Sequence, residues 1–217
     1  MWQQMIEYFS ENADRFWQAV ADHLTVSIIA IAAAVLIGIP AGILCARFKK
    51  SKKIIVPLFN VLRVIPSLAV LLLLLPVFGT GIFPASAALV LLGLPPVIIN
   101  TVNGLDDVPA TTIEAAKGCG MTEPQVWLKI KLRLALPLIL TGIKTSAIEI
   151  LASATLAAKI GAGGLGEIIF TGLGLNRYDL LLIGGIAVAA LSIATNFLFE
   201  FAERIFLKYK YIREVSL

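Results

Sequence analysis

Lys144 and Glu149 are charged residues set inside one long apolar run, and Arg63 stands near the start of another. If these runs cross a bilayer, such side chains are costly, so they pair, line a wet cavity or serve a translocation path. Lys144 and Glu149 are five positions apart, about 140° around a helix axis, and cannot form the i,i+4 pair of one helix face. Each needs a partner elsewhere. Arg63, counted inward from Ile54, lies on the order of 13 Å deep at about 1.5 Å per residue. From there it either reaches Glu149 or snorkels to the inner interface. With Pro66, Ser67 and Asn100, these three charges are the candidate translocation path; snorkelling and helix–helix pairing are the alternative.

Little else in the chain is equipped for chemistry. His23 is the only histidine and has no nearby cysteine or histidine. The two cysteines, Cys45 and Cys119, are too few for a metal site and imply no disulfide. Gly161-Ala162-Gly163-Gly164-Leu165-Gly166 fits the dinucleotide fingerprint G-x-G-x-x-G. That motif requires a strand before it and a helix after it, whereas here an apolar helix precedes, so glycines allowing a tight backbone turn are the better reading. There is no G-x-x-x-x-G-K-[ST] phosphate loop. We expect no catalytic residue, metal or cofactor, and no means of energising transport by this chain alone.

The elements that must position these residues are apolar helices. Of 217 residues, 59% are hydrophobic and 15% charged, with mean hydropathy +0.91, against about 25% charged in soluble chains. Residues 24–46, 64–105 and 180–199 carry no charge. A bilayer core needs about 20 such residues per helix. The expected fold is an all-α integral membrane protein of five transmembrane helices: about 24–46, kinked at Pro40; 54–77; up to Asn103, interrupted at Leu94-Pro95-Pro96; 134–156; and 180–199. Gly38 and Gly42 would let another helix of the same chain approach closely. The net charge of +4 sits in short patches beside the spans, so it orients the chain and speaks for no nucleic acid. Arg47, Lys49, Lys50, Lys52 and Lys53 form the main patch. It places that side in the cytoplasm and the N-terminus outside, and it also suits anionic membrane lipid.

Residues 1–23, with Trp2, Ile6, Phe9, Phe16, Trp17 and Val20 among polar neighbours, read as an amphipathic segment at the membrane interface. They lack the apolar core of a signal peptide. Residues 161–179 form a glycine-rich outer loop, and 208–217 a cytoplasmic tail.

Between the third and fourth spans lies a polar island, residues 114–137, within a cytoplasmic loop taken as 104–133. A short helix, Thr111 to Lys117, ends at Gly118-Cys119-Gly120, and a second starts at Thr122, with Glu123 and Pro124 suited to a helix N-terminus. Two short helices meeting at a glycine turn make a knob for a partner to hold. The pattern Glu114-Ala115-Ala116, Gly120, Ile130 resembles the cytoplasmic coupling loop of bacterial ABC importer permeases. Arg133 stands where that family usually has proline. The whole chain is similar to the methionine-permease-like type. Arg63 to Ser67, Gly142-Ile143-Lys144-Thr145, Ala154 to Ala157 and Ile160 to Gly166 are similar, more narrowly, to osmoprotectant permeases for glycine betaine, carnitine and choline. The resemblance implies a cytoplasmic ABC ATPase dimer touching Glu114, Ala115, Ala116, Gly120 and Ile130, an extracytoplasmic substrate-binding protein, and a second permease, self or paralogue. It implies residence in the bacterial inner membrane. An amino acid such as methionine is the alternative cargo, and a self-contained secondary carrier or channel the rival class.

Overall fold

The computed structural model describes residues 2–207, and the tail expected at 208–217 lies outside the described residues. Among the described residues the chain is helical, with no strand. Helix α1 (Trp2–Arg47) is followed by α2 (Lys49–Leu62), α3 (Ser67–Phe78), α4 (Ile82–Asp106) and α5 (Ala110–Gly118). A short α6 (Glu123–Gln125) passes through a π-helical segment, Val126–Lys131, directly into α7 (Leu132–Ala157). A 3₁₀ turn at Ala158–Ile160 precedes α8 (Leu165–Gly174) and α9 (Tyr178–Phe206). Among the described residues four helical stretches are long and apolar enough to cross a membrane, and α2–α3 supplies a fifth crossing only as a pair bent by 100°.

Helix α4 is the centre. It is buried along most of its length between α1 and α7, whereas little of α9 is buried. Close approach is built from small residues: a Cβ added at Gly42 would stand 2.7 Å from Thr101 Cβ, and one at Gly142 2.8 Å from the Pro96 carbonyl. The glycines of α1 therefore pack within the chain, as their spacing suggests. Around them Val26, Ala30, Ala34, Leu71, Ala88, Leu89, Ile150 and Ala154 form the main core.

Several expectations are corrected. The second span is broken at Arg63 to Pro66, because Pro66 has no N–H to donate into a helix and disfavours helical dihedrals in the residue before it. Arg63 is the helical C-cap of α2, about 13 Å along that helix from Ile54, and the bend follows directly after it. Conversely, Pro95-Pro96 does not interrupt α4, which runs unbroken past both. Neighbouring helices cover that turn, where Leu92, Pro95, Pro96 and Val97 are buried, and just before the prolines the Ser146 hydroxyl on α7 donates to the Gly93 carbonyl at 2.8 Å. In α1 the non-helical dihedrals fall at Asn12 (φ −127°, ψ 23°) and not at Pro40, and the helix is continuous across residue 23. The N-terminal part does more than lie at an interface: Ala19, Phe16 and Val20 pack with Leu165, Ile168, Leu180 and Ile183. The supposed outer loop contains the ten-residue α8. Its approach uses Gly161, Gly163 and Gly164 at φ +82°, +73° and +85°, so the glycines make a turn.

Candidate functional site

The island between the third and fourth spans folds as a turn fixed from both sides. Helix α5 ends in a Schellman arrangement: Gly120 N–H donates to Lys117 O at 2.9 Å and Met121 N–H to Ala116 O at 3.2 Å. That geometry needs the left-handed φ of +82° at Gly120. On the other side Thr122 caps α6, its N–H donating to Gln125 Oε1 at 2.9 Å, with Pro124 in the first turn. An ion pair between Lys117 and Glu123 at 2.5 Å spans the turn.

The five residues of the coupling pattern separate by exposure. Glu114, Ala115 and Gly120 are exposed, and a Cβ at Gly120 would meet nothing within 4 Å. Ala116 is buried and Ile130 half-buried. The first three form an outward patch, and the last two belong to the packing beneath it. Only one of the two helices is short, because α6 continues through the π segment into α7. There Leu132 N–H reaches back five residues to Trp127 O, the wide turn of a π-helix. Trp127 and Leu132 pack onto Leu105, Ala135 and Ile139, which fastens the knob to the ends of α4 and α7. Nothing in Val-Trp-Leu-Lys-Ile-Lys announces a π turn. Arg133 continues α7, and Pro137 lies within that helix. The basic patch is also tied in: Lys52 on α2 bonds Asp106 at the end of α4.

Within the membrane-spanning part, Arg63, Pro66, Ser67 and Glu149 line one cavity of about 280 Å³, together with Pro95 and Ser153. The break between α2 and α3 forms one wall, and α4 and α7 the others. Arg63 is the cation acting electrostatically on Glu149. Among the described residues neither forms an ion pair within 4 Å. An acid and a base facing the same space without contact can hold a dipolar or charged guest between them, or accept water.

Asn100 and Lys144 are elsewhere. Asn100 Nδ2 donates to the Pro96 carbonyl at 2.8 Å, within α4. Lys144 Nζ bonds Glu200 Oε1 on α9 at 3.3 Å, and Asn196 Nδ2 donates to the same oxygen at 2.9 Å. Those two residues of α9 were missed, since no local pattern links positions so far apart in the chain.

A family model described as the binding-protein-dependent transport system inner membrane component matches residues 38–208. Among curated proteins, the chain is 35% identical to the choline transport system permease protein OpuBB of Bacillus subtilis, over 92% of each chain. It is 37% identical to the carnitine transport permease protein OpuCB of Listeria monocytogenes, covering 89% of this chain and 88% of that one. Identity with the osmoprotectant import permease protein OsmY of Salmonella typhimurium is 41%, over 77% of this chain and 72% of the relative. Among solved structures, an inward-facing MetNI methionine ABC transporter shares the fold, with a TM-score of 0.76 and 22% identity over 87% of this chain and 94% of that one.

Proposed function

The chain belongs to the family of binding-protein-dependent transport system inner membrane components, and we propose that its cargo is a quaternary ammonium osmoprotectant such as glycine betaine, carnitine or choline. It is a multi-pass membrane protein and the permease component of an ABC importer. The cargo reading is supported by relatives whose names specify choline, carnitine and osmoprotectants.

In this reading the exposed patch Glu114, Ala115 and Gly120 seats in a cytoplasmic ABC ATPase, one of a pair, with Ala116 and Ile130 holding it in shape. Hydrolysis of ATP belongs to that partner. An extracytoplasmic binding protein delivers the solute, and a second permease, self or paralogue, completes the pore. The basic patch from Arg47 to Lys53 keeps the knob in the cytoplasm and the N-terminus outside. Residues 24–207 act as the transmembrane domain with 104–133 as its coupling loop, residues 1–23 as an amphipathic leader and 208–217 as a cytoplasmic tail. Closure of the ATPase pair draws the knobs together, and α6, being continuous with α7, carries that movement to Glu149 and the cavity.

The observation that carries the permease–ATPase reading is the exposed turn at Gly120, braced on both sides, with open space where a Cβ on Gly120 would stand. The test is uptake into proteoliposomes containing this permease, its ATPase and its binding protein. ATP-dependent glycine betaine uptake, inhibited by carnitine or choline and indifferent to methionine, is expected. Uptake of methionine alone would overturn the cargo; gradient-driven uptake by the purified chain would overturn the importer reading.

A further inference from the structure

A second cleft, of about 400 Å³, lies between the N-terminal part of α1 and α8. It shares no lining residue with the Arg63–Glu149 cavity. It is also far from the coupling knob, because Arg47, which lines a cleft with Glu123 and Pro124 of the knob, is separated from Arg15 along continuous helix by about 48 Å. Tyr8, Arg15 and Asp22 line it from α1, Glu167 and Thr171 from α8, and Arg177 from the turn before α9.

The charges in this cleft are sorted by sign. Asp22 Oδ2 and Glu167 Oε1 come within 3.7 Å and 4.0 Å of the point where a Cβ on Gly163 would stand, so the two carboxylates converge there. At the other end, Arg15 and Arg177 both act electrostatically on Tyr8. Arg15 and Asp22 are about 10 Å apart along the helix, two turns of one face. Among the described residues, neither carboxylate nor Arg15 has an ion-pair partner within 4 Å. Arg177 is held from behind by the buried Asp179, Nη2 to Oδ2 at 2.6 Å and Nε to Oδ1 at 3.3 Å, which leaves three of its five N–H donors unspent. Opposite charges lining one concavity without meeting each other suit a guest that carries both.

We propose that this cleft binds a small zwitterion, its ammonium between Asp22 and Glu167 and its acidic group at Arg15, Arg177 and the Tyr8 hydroxyl. Two sources supply that chemistry: a free solute such as a betaine, or a zwitterionic lipid headgroup. The site stands independently of the translocation cavity, because neither Arg63 nor Glu149 contributes to it.

The test is binding of radiolabelled glycine betaine to the permease with its ATPase, without binding protein, in nanodiscs of phosphatidylglycerol alone. Saturable binding is expected, competed by carnitine far better than by choline or acetate, and weakened at least tenfold by Arg15→Gln or Glu167→Gln. In a second arm, phosphatidylethanolamine retained through purification by the unaltered chain, and lost with either variant, would identify a headgroup as the occupant. Both substitutions are at exposed positions, and a monodisperse complex confirms folding. The proposal is overturned if neither probe binds, if choline competes as well as carnitine, or if both variants bind like the unaltered chain. A transport defect in Glu149→Gln has no bearing on this outcome, so the two sites fail separately.

Discussion

Lys144 on α7 and Glu200 on α9 form an ion pair at 3.3 Å, with Asn196 donating to the same carboxylate oxygen. It fastens α9, little of which is buried, to the packed core. Lys144→Gln and Glu200→Gln should each lower the melting temperature of the purified permease, and the double variant should lose little more than either. Lys144→Arg should hold, since charge and donors remain. Additive losses would show that the pair does not couple the helices.

Glu149 and Arg63 share a cavity without contact. Glu149→Gln should leave membrane abundance intact, because it removes a charge from a membrane span, where charged residues cost about 2.5–3.5 kcal/mol on insertion scales. Uptake should fall at least tenfold, about 1.4 kcal/mol in the rate-limiting step. Arg63→Gln should add little in that background if both act on one guest. Independent, multiplying losses would separate the two residues.

Gly42 is pressed against Thr101, 2.7 Å from where its Cβ would be, whereas a Cβ at Gly185 would meet nothing within 4 Å. Gly42→Ala should cost about 1–3 kcal/mol through overpacking. Gly185→Ala should be neutral or stabilising, by up to about 1 kcal/mol from helix propensity. Thermal unfolding of the two variants in the same detergent checks this, and equal effects would deny that α1 and α4 touch at Gly42.

These particulars mark how far a sequence reading reaches. The turn at Gly120, the cap at Thr122 and the apolar spans are local matters, governed by glycine, capping residues and hydropathy, and each was legible. Pro66 and the pair Pro95-Pro96 were equally visible but acted oppositely. Pro66 breaks its helix where the chain is exposed; α4 passes Pro95-Pro96 where both prolines are buried between α1 and α7. The outcome depends on neighbours that periodicity does not reveal. Helix α8 was hidden by its glycines, and the Lys144–Glu200 pair by the distance between its members along the chain. For the candidate site, the pattern named five residues alike, and only tertiary packing could separate the exposed Glu114, Ala115 and Gly120 from Ala116 and Ile130.

Orientation rests on Cys119, because it is exposed while Cys45 is buried and would resist labelling from either side. An impermeant thiol reagent should leave Cys119 unmodified in intact cells and react in inverted vesicles, while cysteine at the exposed Thr171 should do the opposite. Labelling of Cys119 from outside would invert the proposed topology.

The central claim is that the turn at Gly120 is the handle by which an ATPase moves this permease. Gly120→Asp places a charged side chain in open space at a left-handed position, at a backbone cost of about 1–2 kcal/mol that aspartate moderates, so the permease should insert normally. Glu114→Ala removes the exposed acid of the patch at no structural cost. The decisive measurement is co-purification of the ATPase with Gly120→Asp permease, taken alongside ATP-driven uptake. The account predicts normal permease abundance with the ATPase lost and uptake abolished. An ATPase that still co-purifies and drives uptake at the unaltered rate would contradict it.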